Sequence, residues 1–142
     1  MQYWLLKSEP DVWSIDQQRK AGLKGVSWDG VRNYQARNNL KAMKKGDYVF
    51  FYHSVVGKEI KGIAIVAKEF YPDPTIRDDR WVVVDLKPVK SLQTPVSLDT
   101  IKEHPQLENI SLIRQSRLSV MSLSKKEFQI ILKLGDTTLR NI

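Results

Sequence analysis

The hydrophobic period of this chain changes at Gly46. Before it, Ala36, Leu40 and Met43 recur at i, i+4 and i+7, the spacing of one helix face. After it, β-branched and aromatic residues run together over 48–52, 60–67 and 81–86, each run of strand length. A helix followed by several strands, with no regular alternation of the two, argues for an α+β chain rather than a βαβ array. The architecture expected is a small mixed β-barrel flanked by short helices.

The elements around this switch can be placed by their punctuation. Tyr3-Trp4-Leu5-Leu6 is a short apolar run that reads as a buried strand. Pro10 ends it, because proline cannot donate to a ladder. Residues 25–30 read as a loop with Asp29-Gly30 as its turn. A helix is expected over 31–45, with Gly46 as its C′ residue. Ser97 can cap a short helix that runs to Glu103, and residues 118–121 add a strand. Ser124 followed by Glu127 is a capping box opening a last helix, whose Phe128, Ile131 and Leu132 face the core. Residues 1–135 are expected to form one domain and 136–142 a frayed tail.

Charge narrows the partner. Lys and Arg number 23 against 16 Asp and Glu, a net charge of +7. The excess is uneven: 31–45 carries Arg32, Arg37, Lys41, Lys44 and Lys45 with no acid, and 109–126 carries Arg114, Arg117, Lys125 and Lys126 with no acid. On the expected helix, Asn33, Arg37, Lys41 and Lys44 form a polar and basic stripe beside the apolar one. Such a surface suits nucleic acid or anionic membrane, although a solvated Lys/Arg face looks the same.

Several classes fall away. There is no cysteine and there are two histidines, so no disulfide framework, thiolate nucleophile, metal or other cofactor is expected. No apolar run approaches the ~18 residues of a membrane helix, and the first residues do not read as a secretory signal. A cytoplasmic protein, or a nuclear one in a eukaryote, is expected. No P-loop, G-x-G-x-x-G or H-E-x-x-H occurs, which leaves nucleotide and zinc-protease readings without support.

Four segments combine aromatic, amide, hydroxyl and cationic groups at the ends of expected elements, where sites are commonly built. They are Lys7-Ser8-Glu9-Pro10, Trp28-Asp29-Gly30-Val31-Arg32-Asn33-Tyr34, Phe51-Tyr52-His53-Ser54 and Arg114-Gln115-Ser116-Arg117. Trp28 is either a loop anchor or a platform for a planar ligand; Tyr52 is either core or an opposing wall. The Asn33 amide either caps its helix or reads a base edge, having both donor and acceptor. The arginine forks match phosphate oxygens. His53 and Ser54 do not make a nucleophilic pair, because adjacent strand residues point to opposite faces.

Taken together, these segments resemble the EVE domain, a PUA-like domain related to YTH and ASCH domains. The resemblance runs from Tyr3 to Val120, and 28–40 is its most specific block. It implies a pseudo-barrel with a pocket for a modified nucleobase, 5-methylcytosine and its oxidised forms being the leading class. On that resemblance Trp28 and Tyr52 are base-stacking walls, and Ser8, Asn33 and Ser54 read the base edge. His53 is counted with this ligand-binding group. Lys7, Arg32, Arg37, Arg114 and Arg117 contact the backbone, and Lys41 joins them from the basic stripe. The expected function is a non-catalytic reader of modified DNA acting with a nuclease or restriction partner. The alternative is an RNA-binding or ribonuclease-like enzyme of the ASCH kind, and no general acid/base pair stands out to favour it.

Overall fold

The computed structural model describes residues 2–8, 26–28, 34–53, 58–72, 82–115 and 118–139, with residues 8 and 26–28 described by their backbone. Among the described residues the elements are β1 (Tyr3–Ser8), β2 (Val26–Trp28), α1 (Tyr34–Ala42), β3 (Tyr48–His53), β4 (Glu59–Pro72), β5 (Val82–Ser97), α2 (Leu98–Glu103), α3 (Ser111–Arg114), β6 (Val120–Leu123) and α4 (Lys125–Leu134). The strands form one sheet in the order β2-β5-β4-β3-β1-β6. Only β1 and β3 run parallel among the described strands; the other pairs are antiparallel.

The sheet is mixed because the chain leaves β1 and returns through β2 and α1 before laying down β3 beside it. β1 therefore lies between β3 and β6, covered on both faces, which explains a continuous apolar run in place of an alternating one. Leu5 and Leu6 are fully buried. On one face Phe128 of α4 packs under Tyr3, Tyr48 and Phe50, with ring centroids 4.7, 6.0 and 4.2 Å away. Helix α1 packs against both β5 and β6, which three strands separate in the sheet order. The sheet thus curls round this helix, and Ala36, Leu40 and Met43 are all buried as the apolar spacing predicts. The α+β architecture of curled mixed strands and short helices is the one expected.

The structure corrects four details. First, α1 ends at Ala42. The Lys44 amide donates to Asp47 Oδ2 at 3.0 Å, and the Met43 amide closes a shorter turn on Leu40 at 3.2 Å. The helix ladder stops because a side chain has taken its next donor. Gly46, at φ 95°, is the third residue of the 44–47 turn and not a helix C′ residue. Second, Trp28 ends a strand paired with β5 rather than sitting in a loop. Third, β5 runs on to Ser97, well past the expected end at residue 86. Pairing jumps from Ile60↔Val96 to Gly62↔Ser91, so residues 92–95 bulge from the ladder.

Fourth, residues 136–139 are not a frayed tail. They dock on that bulge and satisfy its loose backbone groups. The Thr94 amide donates to the Gly135 carbonyl at 3.0 Å and the Gln93 amide to Thr137 Oγ1 at 2.9 Å. Lys90 Nζ reaches the Thr138 carbonyl at 2.7 Å, and Leu139 is buried. Both caps stand where expected: Ser97 Oγ accepts from the Thr100 amide, and Ser124 and Glu127 form the full capping box. No helix among the described residues is long and apolar enough to cross a membrane.

Candidate functional site

The one parallel pair described gathers four of the expected site residues. β1 and β3 end together, with Lys7 opposite Tyr52 and Ser8 opposite His53. The register thus sets the carboxyl ends of β1 and β3 side by side. The pairing extends on the other side of β1, where the Lys7 amide donates to the Ser119 carbonyl at 2.8 Å. That brings the backbone just after Arg117 alongside the same strand end.

Alternation sorts the side chains. Tyr48 and Phe50 face α4, so Tyr52 continues that face, and Lys7 follows Tyr3 and Leu5 on it. Tyr52 is 3% exposed, a ring held in the core at the strand's end. Burial raises its hydroxyl pKa, and the Asp99 carboxylate at the start of α2 raises it further. Burial lowers the pKa of the half-buried Lys7 ammonium beside it. His53 lies on the opposite face, buried and edge-on to Phe51 at 6.0 Å between centroids. Tyr52 and His53 are therefore neighbours in sequence that serve different sides of the sheet.

The cations are spread over two helices. Arg37 and Lys41 project from α1, where Arg37 lies 5.0 Å from the Tyr34 ring centroid and donates to Asn38 Oδ1 at 3.0 Å. Lys41 Nζ lies 5.7 Å from the centroid of Phe70, on β4. Arg114, at the end of α3, is exposed and donates to Asn109 Oδ1 at 3.1 Å. Both helices border β6: α3 packs on it, and Asn39 Nδ2 of α1 donates to the Val120 carbonyl at 2.7 Å. The basic groups thus flank the edge strand next to β1.

Trp28 is set apart by register. It pairs with Val84 near the start of β5, while Tyr52 and His53 pair with Ile60 and Glu59 near the start of β4. Those positions occupy opposite ends of the β4–β5 ribbon, which bends at its register shifts. Asn33, Ser54, Arg32 and Arg117 lie outside the described residues, as do the side chains of Ser8 and Trp28. Among the described residues no cluster of His, Asp or Glu is arranged to hold a metal ion.

The residue that sequence reasoning missed is Asp47. It is 3% exposed and accepts three hydrogen bonds, from the Trp4 indole at 3.0 Å, the Gln2 amide at 3.1 Å and the Lys44 amide at 3.0 Å. It ties the start of β1 to the turn before β3, and so sets the register that brings Lys7 and Tyr52 level. An acid directly after a turn glycine was the available signal, but it is too common to single out.

Comparison with known proteins gives the family and the fold. A model of the EVE domain matches residues 2–134. Thymocyte nuclear protein 1 of Mus musculus is 35% identical, over 95% of this chain and 74% of its own length. The crystal structure of protein Atu2648 from Agrobacterium tumefaciens is 44% identical with a TM-score of 0.95, covering 96% of this chain and 94% of that one. The crystal structure of human THYN1 protein in complex with 5-methylcytosine-containing DNA is 33% identical with a TM-score of 0.88, covering 98% of this chain and 100% of that one. A YTH domain of Zygosaccharomyces rouxii, 14% identical at a TM-score of 0.59 over 99% of this chain and 88% of that one, shares the fold alone. With the match running from before β1 to the end of α4, and relatives alike along the whole of that span, the chain belongs to the EVE domain family.

Proposed function

We propose that this chain is a non-catalytic module that binds nucleic acid by receiving a modified base, of the 5-methylcytosine class in DNA. The observation that carries the reading is the likeness to the human THYN1 protein, which was solved with 5-methylcytosine-containing DNA and matches this chain from end to end. The net charge of +7 and the side-by-side ends of β1 and β3, which set Lys7 level with Tyr52 and Ser8 level with His53, support it.

The mechanism follows from what a duplex hides. A paired base keeps its edge inside the stack, so the target base must be flipped or unpaired, at a cost of a few kcal/mol. Stacking on an aromatic side chain returns about 1–3 kcal/mol. Trp28 supplies that platform; Tyr52, 3% exposed and paired at the other end of the β4–β5 ribbon, packs the core at the end of β3 rather than forming an opposing wall. Ser8, Asn33, His53 and Ser54 offer the polar contacts that read the base edge. Lys7, Arg32, Arg37, Lys41, Arg114 and Arg117 hold the phosphates, which fixes position without reading sequence. Binding of this kind calls for no general acid or base. A module that marks modified bases fits a nuclease or restriction partner, in the compartment that holds the DNA: cytoplasm in a bacterium, nucleus in a eukaryote.

The test is a titration of matched duplexes that carry cytosine, 5-methylcytosine or 5-hydroxymethylcytosine at one position. A buried methyl contributes about 0.8 kcal/mol, so the methylated duplex binds about fourfold more tightly. Equal affinity for all three duplexes would overturn the reading.

A further inference from the structure

The outer side of α1 and the far end of β4 carry two exposed aromatic rings, and nothing in the core explains them. Tyr34 is 52% exposed and Phe70 is 44% exposed. Each has a cation at its ring, Arg37 at 5.0 Å from Tyr34 and Lys41 at 5.7 Å from Phe70. Tyr34, Arg37 and Lys41 stand at i, i+3 and i+7, one face of the helix, which spans about 10 Å at 1.5 Å per residue. The helix carries no acid. Glu69, the residue before Phe70, accepts from the Lys45 amide at 3.2 Å.

Phe70 is exposed by construction. Pairing passes from Lys68↔Asp85 to Tyr71↔Val83, so Glu69 and Phe70 together oppose Val84 alone. This is a β-bulge, a device that re-aims a side chain. The same Val84 pairs on its other edge with Trp28. The bulge therefore lies two strands from the residue assigned above to stack the flipped base, roughly 10 Å at the usual strand spacing.

We propose that Phe70, Lys41, Arg37 and Tyr34 form a track for a single-stranded stretch of nucleic acid. Two bases with at least one nucleotide between them stack on the two rings, and the two cations meet the phosphates of the step between them. Alternating rings and cations are the chemistry that unpaired strands need, since every base has a face to stack and every step carries a negative charge. A duplex hides its base faces, so exposed rings contribute nothing to its backbone. The proposal rests on the nucleic-acid reading above and adds to it: the protein holds unpaired nucleotides beside the base it receives.

The probes are three oligonucleotides: a single-stranded 12-mer of thymidylate, a deoxyribose-phosphate 12-mer of the same charge without bases, and the methylated duplex. Wild-type protein binds the thymidylate more tightly than the abasic strand. Phe70→Leu and Tyr34→Ala each weaken thymidylate binding by about fivefold or more, while Phe70→Tyr and Tyr34→Phe restore it. Both rings are exposed, so the variants keep the wild-type melting curve, and the ratio of methylated to unmethylated duplex affinity stays unchanged. If wild-type protein binds both 12-mers equally, or if the ring variants bind thymidylate as wild type does, the track is wrong while the reader function stands. If no oligonucleotide binds at all, the reader function fails, and the track fails with it.

Discussion

Removing the Asp47 carboxylate should cost more stability than any single surface change, and the structure allows the cost to be worked out. In Asp47→Ala three donors lose their acceptor. The Trp4 indole is 3% exposed, so its N–H stays buried and unpaired, a penalty of about 1–3 kcal/mol. The amides of Gln2 and Lys44 belong to exposed residues and recover water bonds, so each loses only the net value of its bond, about 0.5–1.5 kcal/mol. The sum is roughly 2–6 kcal/mol, a large share of the roughly 5–15 kcal/mol that holds a domain together. Urea denaturation followed by tryptophan fluorescence measures it. The diagnostic step is a cycle with Trp4→Phe, which removes the indole donor. In that background the cost of Asp47→Ala should fall by about 1–3 kcal/mol. A cost below about 1 kcal/mol in the wild-type background, or an unchanged cost in the Trp4→Phe background, would refute the reasoning.

Two further outcomes follow from the site. Lys7 has its pKa lowered from 10.5, so near and below that pH the unfolded chain binds more protons at this position and its contribution to stability rises with pH. Tyr52 has its pKa raised from 10.0, so the folded chain holds its proton longer and its contribution falls as pH climbs through that value. The two oppose each other in one alkaline window; Tyr52→Phe should therefore make stability rise more steeply with pH there than in wild type, and parallel urea midpoints across that range would contradict it. Arg37→Ala should weaken methylated and unmethylated duplexes equally and flatten the salt dependence by roughly one phosphate's contribution, because phosphates carry no base identity; loss of the methyl preference alone would place Arg37 in the pocket instead.

Local chemistry was the legible part of this fold. The Ser97 and Ser124 caps, the buried face of α1 and the apolar β1 run all follow from neighbouring residues, and each stands as expected. What stayed hidden depends on distant partners. The length of β5 was obscured by Pro88 and Pro95, which the ladder tolerates because β4 and β5 shift register around them. The docked segment at 136–139 reads as polar tail until the bulge at 92–95 is known, since only that bulge leaves amides for it to satisfy. The end of α1 was misjudged because a carboxylate three residues ahead captured the Lys44 amide. The site shows the same division. Nothing in the spacing places Lys7 level with Tyr52, because that alignment is a parallel pairing across 45 residues. The family resemblance named both residues without saying that they are neighbours. The bulge that exposes Phe70 was equally out of reach, since the apolar run reads as a strand only to residue 67 and the bulge depends on the register of the partner strand.

The central claim is that one base leaves the stack and is held on an aromatic platform, and Trp28→Ala tests it most directly. The measurement is the ratio of affinities for methylated and unmethylated duplexes, taken on a variant whose melting curve matches wild type. With the platform gone, the specific mode should lose about 1–3 kcal/mol and sink into the charge-driven background, so the ratio should fall to one while salt-sensitive binding persists. A Trp28→Ala protein that melts as wild type does and still prefers the methylated duplex by the full wild-type factor would contradict the account.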